Sequence, residues 1–352
     1  MTSLTRAFDD LVVDYVEFYV QDVASSVSWL VEGYGFAVHA TTPPRQESRA
    51  RTVALTQGAI RLLVTEPLAT GHPAAAYVDE HGDGVANIGL RVADADLAFR
   101  EALLRGARPV HEPTLRDGVR TAAIRSFGDV THTFVQRPVG PAAHGPSTTG
   151  LKTIDHFAVC LQPGRMRETL GFYRDVLDFE LILTERIEIG SQAMTIEVVR
   201  STSGGMTLTL IEPDASSETS HLSEFLERNA GAGVQHMALS TDDIIASVGA
   251  IGARGIEFLP TPDAYYRRLW ERVRLSRHTP EEICGLNVLV DADHDGQLYQ
   301  IFARSVTPRG TFFMEIIERA GSNSFGSGNI KSLYQAVESQ RTADQHVSDG
   351  VG

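Results

Sequence analysis

GVQHMALSTDDIIASVGAIGARGIEFLPTP, residues 233–262, decides the fold. It reads as a strand, a short polar turn, a helix, and a second strand ending at a proline. The same sentence is written earlier in the chain as GVANIGLRVADADLAFREALLRGARPVHEP, residues 84–113. Working outward, VDYVEFYVQDVASSVSWLVEGYGFAV (13–38) and IDHFAVCLQPGRMRETLGFYRDVLDFE (154–180) form a second pair, each a strand, turn, helix and Gly-Phe exit. HTFVQR (132–137) and MEIIER (314–319) form a third. The chain is therefore a tandem repeat. Its short alternating strands with intervening helices predict an α+β architecture whose curved, mostly antiparallel sheets enclose a cavity.

The repeat predicts an N-terminal half over 1–137, a Pro/Gly/Ser/Thr linker at 138–150 (PVGPAAHGPSTTG), a C-terminal half over 151–340, and a polar tail at 341–352. A helix over GNIKSLYQAVE, with Ile330, Leu333, Tyr334 and Val337 on one stripe, is placed to cover a site in the second half.

Composition narrows the classes of function. Lys plus Arg total 31 against 45 Asp plus Glu, a net charge of −14, which argues against nucleic-acid and anionic-membrane partners. The two cysteines, Cys160 and Cys284, make no disulfide framework, and a reducing cytoplasmic setting is expected. MTSLTRAFDD lacks a signal-peptide core, and no stretch of about 18 apolar residues predicts a membrane span.

The repeat also serves as an internal control for chemistry. His156, His236 and Glu315 stand in the second half where the first half has Tyr15, Asn87 and Thr133. Strand phase puts each on an apolar-flanked inward face: His156 with Ile154 and Ala158, His236 with Val234 and Ala238, Glu315 with Phe313 and Ile317. A single buried histidine is most simply a hydrogen-bonded core residue. Two histidines and a carboxylate confined to one half are better read as metal ligands, since an inward carboxylate is costly unless paired or bound. Two imidazoles and one carboxylate on one face of an ion leave positions open for substrate and dioxygen, as in non-haem Fe(II) oxygenases; Mn(II) and Zn(II) suit the same donors.

The motifs IDHFAV, GAGVQH, TPDAYY, LYQIF, FFMEIIER and FGSGNIK occur in order between 154 and 331. In them the chain resembles the 4-hydroxyphenylpyruvate dioxygenase and 4-hydroxymandelate synthase family of the vicinal oxygen chelate superfamily. The resemblance implies two tandem vicinal-oxygen-chelate domains, each of two βαβββ-type modules, the first without metal. It implies Fe(II) on His156, His236 and Glu315, no catalytic side chain beyond the metal centre, and a pocket lined by Gln300, Phe302, Phe313, Phe325 and Asn329. It implies an aryl 2-oxo acid and O2 as substrates and a homodimer or higher homo-oligomer.

Within the family, oxidative decarboxylation is followed either by ring attack, giving homogentisate, or by benzylic hydroxylation, giving 4-hydroxymandelate. Ile330 in place of the dioxygenase's Phe, with Thr209 and Ile211 in place of its Pro-x-Asn strand end, resembles the synthase. Ile196 and His221 replace a usual pocket Ser and Gln, and leave open whether the substrate carries a 4-hydroxyl. Homogentisate formation, and a non-enzymatic small-molecule-binding protein on the same repeat, are the alternative readings.

Overall fold

β-Branched and aromatic residues in the strand segments suit a pleated, half-buried surface, and each half folds into one eight-stranded sheet. The computed structural model describes residues 6–41, 49–138, 145–189, 192–214, 221–326 and 328–329. The first half contains β1 (Val12–Tyr19), α1 (Val23–Ser28), β2 (Ala37–Thr41), β3 (Ala50–Gln57), β4 (Ile60–Pro67), α2 (Pro73–His81), β5 (Gly84–Arg91), α3 (Ala95–Leu104), β6 (Pro109–Arg116), β7 (Val119–Arg125) and β8 (Thr131–Gln136). The second contains β9 (Ile154–Cys160), α4 (Met166–Gly171), β10 (Glu180–Ile189), β11 (Gln192–Arg200), β12 (Thr207–Pro213), α5 (His221–Arg228), β13 (Gly233–Ser240), α6 (Ile244–Gly252), α7 (Asp263–Arg272), α8 (Pro280–Gly285), β14 (Leu289–Ala292), β15 (Gln297–Phe302) and β16 (Phe313–Ala320).

The strand orders are β2-β3-β4-β1-β5-β8-β7-β6 and β10-β11-β12-β9-β13-β16-β15-β14, so the halves copy each other. Each half is two βαβββ modules joined through the antiparallel pair β1/β5 or β9/β13. Within a module the first and last strands run parallel. The polar turns are helix caps: Asp94 accepts from Leu97 N and Asp243 from Ala246 N, satisfying donors at the starts of α3 and α6. After α1 and α4 the chain widens into π-helical turns, Trp29–Gly33 and Phe172–Val176. Nothing in the 3.6-residue pattern announces them.

One expected element is corrected. In the first half, β6 runs through Pro113 to Arg116 rather than stopping at the proline. It is an edge strand with irregular pairing, where a missing N–H is tolerated. In the second half, the strand expected before Pro260 shrinks to a bridge between Phe258 and Ala303. The inserted helices α7 and α8 follow it, and β14 takes the edge position instead. Residues 145–150 of the expected linker pack on the first half: Thr149 donates to Tyr34 O, and Gly145 bridges Gly58. The expected helix beyond Asn329, with Ile330, and the tail at 341–352 lie outside the described residues. Among the described residues no helix is long and apolar enough to cross a membrane.

A continuous apolar core includes Leu90, Phe134, Phe157 and Met237 from both halves, with Phe18 edge-on to Phe312 at 5.0 Å. A smaller apolar cluster lies apart on the second sheet: Ala158, Cys160, Ile196, Val198 and Ile211 of its strands, with Leu222 and Phe225 of α5.

His132 is buried in the joint between the halves, where its Nε2 meets Tyr173 OH at 2.8 Å and Ser126 Oγ at 3.0 Å. Burial pushes its pKa from 6.5 down to about 4. The unfolded chain therefore binds a proton, as pH falls from 6.5 toward about 4, that the folded chain refuses. Stability is complete above this window and declines as pH falls through it, by about 3 kcal/mol in all. Urea unfolding across a pH series should show this decline, and His132→Gln should flatten it. An equal slope in the variant would refute the assignment.

Candidate metal centre

The strand pairing explains how both histidines come to face one point. On β9, His156 pairs with Ala238 while Ile154 pairs with Leu239, so Asp155 is an extra, bulged residue. On β13, His236 pairs with Ala158 while Val234 pairs with Val159, so Gln235 is bulged in turn. A bulge bends its strand and re-aims the next side chain. Each bulged residue also touches the histidine it precedes: Asp155 Oδ1 lies 2.8 Å from His156 Nδ1, and Gln235 Oε1 3.4 Å from His236 Nδ1. Glu315 sits opposite Ala238 on β16, in line with His156.

Both Nε2 atoms lie 3.4 Å from Glu315 Oε2. Ligand bonds of about 2.1 Å at right angles would place donor atoms about 3 Å apart, so a small contraction brings the three onto one ion. Glu315 is 2 % exposed, and among the described residues its only ion-pair partners are these imidazoles. A carboxylate so buried, with no Lys or Arg within salt-bridge distance among the described residues, fits a cation between the three groups. Burial pushes the His236 imidazole below its usual range, against the pull of Glu315, and keeps it neutral as a ligand must be.

Two other clusters have metal-like composition but hold their own partners. Glu318 accepts from Arg277 at 2.5 Å, from Ile244 N at 2.8 Å and pairs with His278 at 2.8 Å. His81 is engaged by Asn229 O at 2.6 Å and by Asp129 at 3.1 Å.

Aromatic rings frame the triad. Phe313 stacks on His236 at 5.1 Å, Phe302 stands edge-on to it at 5.7 Å, and Phe325 is edge-on to His156 at 5.4 Å. Thr209 is paired with Ala158, Ile211 with Cys160, and Ile196 with Ile211, so all three share the face that carries the histidines. Among the described residues, Thr209 Oγ1 and Gln300 Oε1 are buried with no hydrogen-bond partner, as is one end of the Asn329 amide. The other end of that amide lies 2.6 Å from Tyr265 OH, which also contacts Val290 N and O. Buried polar atoms left over in this way are suited to a polar ligand.

His221 stands at the first residue of α5 with part of its surface open, burial pushing its imidazole below the usual range, while the helix turns Leu222 and Phe225 inward. Ile330 lies outside the described residues. Sequence reading missed Asp155, Gln235 and Tyr265, although the first two each precede a histidine of the candidate triad.

The first half keeps the frame and not the donors. Its bulged residues are Asp14, before Tyr15, and Ala86, before Asn87. Thr133 donates to Asn87 Oδ1, and the Asn87 amide donates to Tyr15 OH and Glu17. Burial raises the Glu17 carboxyl above its usual range. This network satisfies itself and offers no imidazole.

Two family models match the chain, one over each half. Residues 10–152 match a family model described as hydroxyphenylpyruvate dioxygenase, HPPD, N-terminal, and residues 153–298 match the Glyoxalase/Bleomycin resistance protein/Dioxygenase superfamily. A 4-hydroxyphenylpyruvate dioxygenase of Yarrowia lipolytica is 31% identical over 93% of this chain and 91% of its own. One from Neurospora crassa is 33% identical over 75% of this chain and 71% of its own. The solved structure of a triple mutant of 4-hydroxymandelate synthase from Streptomyces coelicolor is 40% identical, with a TM-score of 0.84 over 94% of this chain and 98% of that one. This chain belongs to the family that contains the 4-hydroxyphenylpyruvate dioxygenases and 4-hydroxymandelate synthase.

Proposed function

We propose that this chain is an Fe(II)-dependent oxygenase that converts an aryl 2-oxo acid of the 4-hydroxyphenylpyruvate type and O2 to 4-hydroxymandelate and CO2. The carrying observation is the wall beside the triad: Ile196 and Ile211 face each other across β11 and β12, backed by Val198 and Met194, with no aromatic ring on those strands. Bound Fe(II) would supply the template for the 2-oxo acid and the electrons that activate dioxygen. His156, His236 and Glu315 would hold it from one side and leave the other side to substrate. Phe302, Phe313 and Phe325, whose rings lie against the two histidines, would exclude water from that side. The unpartnered Thr209, Gln300 and Asn329 groups would orient the substrate's polar end. An aliphatic wall leaves the arylacetate portion room to turn its benzylic carbon, rather than its ring, toward the metal.

The dioxygenase names of the curated relatives favour homogentisate as the second reading. Anaerobic loading with Fe(II), then 4-hydroxyphenylpyruvate and oxygen, with products separated by mass spectrometry, decides between them. 4-Hydroxymandelate is the expected main product. Homogentisate alone would overturn the synthase reading, and no turnover of any aryl 2-oxo acid would overturn both.

A further inference from the structure

Arg319 closes a ring of contacts around one metal ligand. Its Nε and Nη2 each donate to Asp155 at 2.8 Å, one to either carboxylate oxygen. Asp155 in turn accepts from His156 Nδ1 at 2.8 Å. The guanidinium lies 4.9 Å from the Phe325 ring centre, and Phe325 stands edge-on to the same His156. Nη1 donates to Ser322 O at 3.2 Å and Ser324 O at 2.6 Å, fixing the run that delivers Phe325.

The first half separates two roles for this pair. Arg137 makes the same forked contact with Asp14, at 2.6 to 3.0 Å, across the equivalent bulge. There Tyr15 follows the bulge, and no imidazole stands at the position of His156. The Asp–Arg fork is thus a staple for the bulge in both halves. Only in the second half does it also reach an imidazole and an aromatic ring over the site.

We infer that Arg319 is a positioning residue, which through Asp155 holds the His156 imidazole in its metal-binding tautomer and through Phe325 ties that orientation to closure of the pocket. A proton fixed on Nδ1 by the Asp155 carboxylate leaves Nε2 with its lone pair toward Glu315. A lysine at 319 could meet one carboxylate oxygen, but it could not fork, stack on Phe325 and reach two carbonyls together.

The inference rests on the metal reading of the triad, and its test separates the two. Fe(II) affinity is measured anaerobically by competition with a chromophoric chelator for wild type, Arg319→Lys, Asp155→Asn and Arg137→Lys. The EPR spectrum of each Fe(II) protein with nitric oxide and each thermal unfolding curve are recorded alongside. Both second-half variants should bind Fe(II) about tenfold or more weakly and alter the nitrosyl spectrum, as losses of hydrogen bonds behind a ligand do. Arg137→Lys should lose stability and keep the wild-type affinity and spectrum. Unchanged affinity and spectrum in either folded second-half variant would overturn the inference alone, and Asp155→Asn, nearly isosteric, carries the test if Arg319→Lys does not fold. An equal loss of affinity in Arg137→Lys would also overturn it. A wild-type chain that bound no Fe(II) would overturn the metal reading and the inference together.

Discussion

Glu315→Gln should abolish tight Fe(II) binding while leaving the fold intact. Gln keeps the shape and one acceptor oxygen, but removes the charge that makes the triad a cation site. Changes to groups that merely support a ligand weaken metal binding by about 10- to 100-fold, so loss of a ligand charge should exceed about 100-fold. The effect on the metal-free chain runs the other way. Glu315 is a buried carboxylate whose only ion-pair partners among the described residues are two imidazoles, each 3.4 Å away. Removing a buried charge without a cationic partner relieves a desolvation cost, so the metal-free variant should unfold at the same temperature as wild type or higher. Adding Fe(II) at about 100 times its Kd should stabilise wild type by about 2.7 kcal/mol and leave the variant unmoved. Calorimetric scans with and without Fe(II) read both effects. Equal stabilisation of the two proteins would show that the ion binds elsewhere.

The triad was legible in the sequence because the repeat supplied its own control. Tyr15, Asn87 and Thr133 mark the positions at which the second half carries donors, and alternation rightly grouped His156 with Ala158 and His236 with Ala238, whereas Ile154 and Val234, expected on the same face, pack in the main core on the other side of the bulges. Alternation alone places side chains by parity, and the bulges at Asp155 and Gln235 break parity. That is why the residues behind both histidines went unseen, although each is adjacent in sequence to the ligand it supports. Membership of a segment does not say which side of a short helix faces inward, and α5 buries Leu222 and Phe225. The strand expected before Pro260 failed because the insertion carrying α7 and α8 follows it, and edge pairing passed to β14. Orphaned atoms such as Thr209 Oγ1 are visible only after packing, since their significance is the absence of a partner.

Gly326→Ala should abolish most turnover while retaining the metal, which separates the substrate pocket from the ligand set. Gly326 has φ +76, a left-handed conformation that costs an alanine about 1 kcal/mol or more. The larger effect is steric. A Cβ at this position would lie 2.3 Å from Gln300 Oε1 and 2.5 Å from Gln300 Nε2, so the amide must move or the loop must retreat. Gln300 is 2 % exposed, and its Oε1 is one of the polar atoms left without a partner among the described residues. Phe325 immediately precedes the glycine and stands against His156. Either response therefore displaces a group on the substrate side by about 1 Å, a misplacement that can cost about 100-fold in rate. His156, His236 and Glu315 lie on β9, β13 and β16, away from the strained turn, so Fe(II) stoichiometry should remain that of wild type. The expected result is a kcat/KM for the aryl 2-oxo acid lower by about 100-fold with full metal loading. Wild-type kcat/KM in the loaded variant would show that Gln300 and Phe325 do not set the substrate's position.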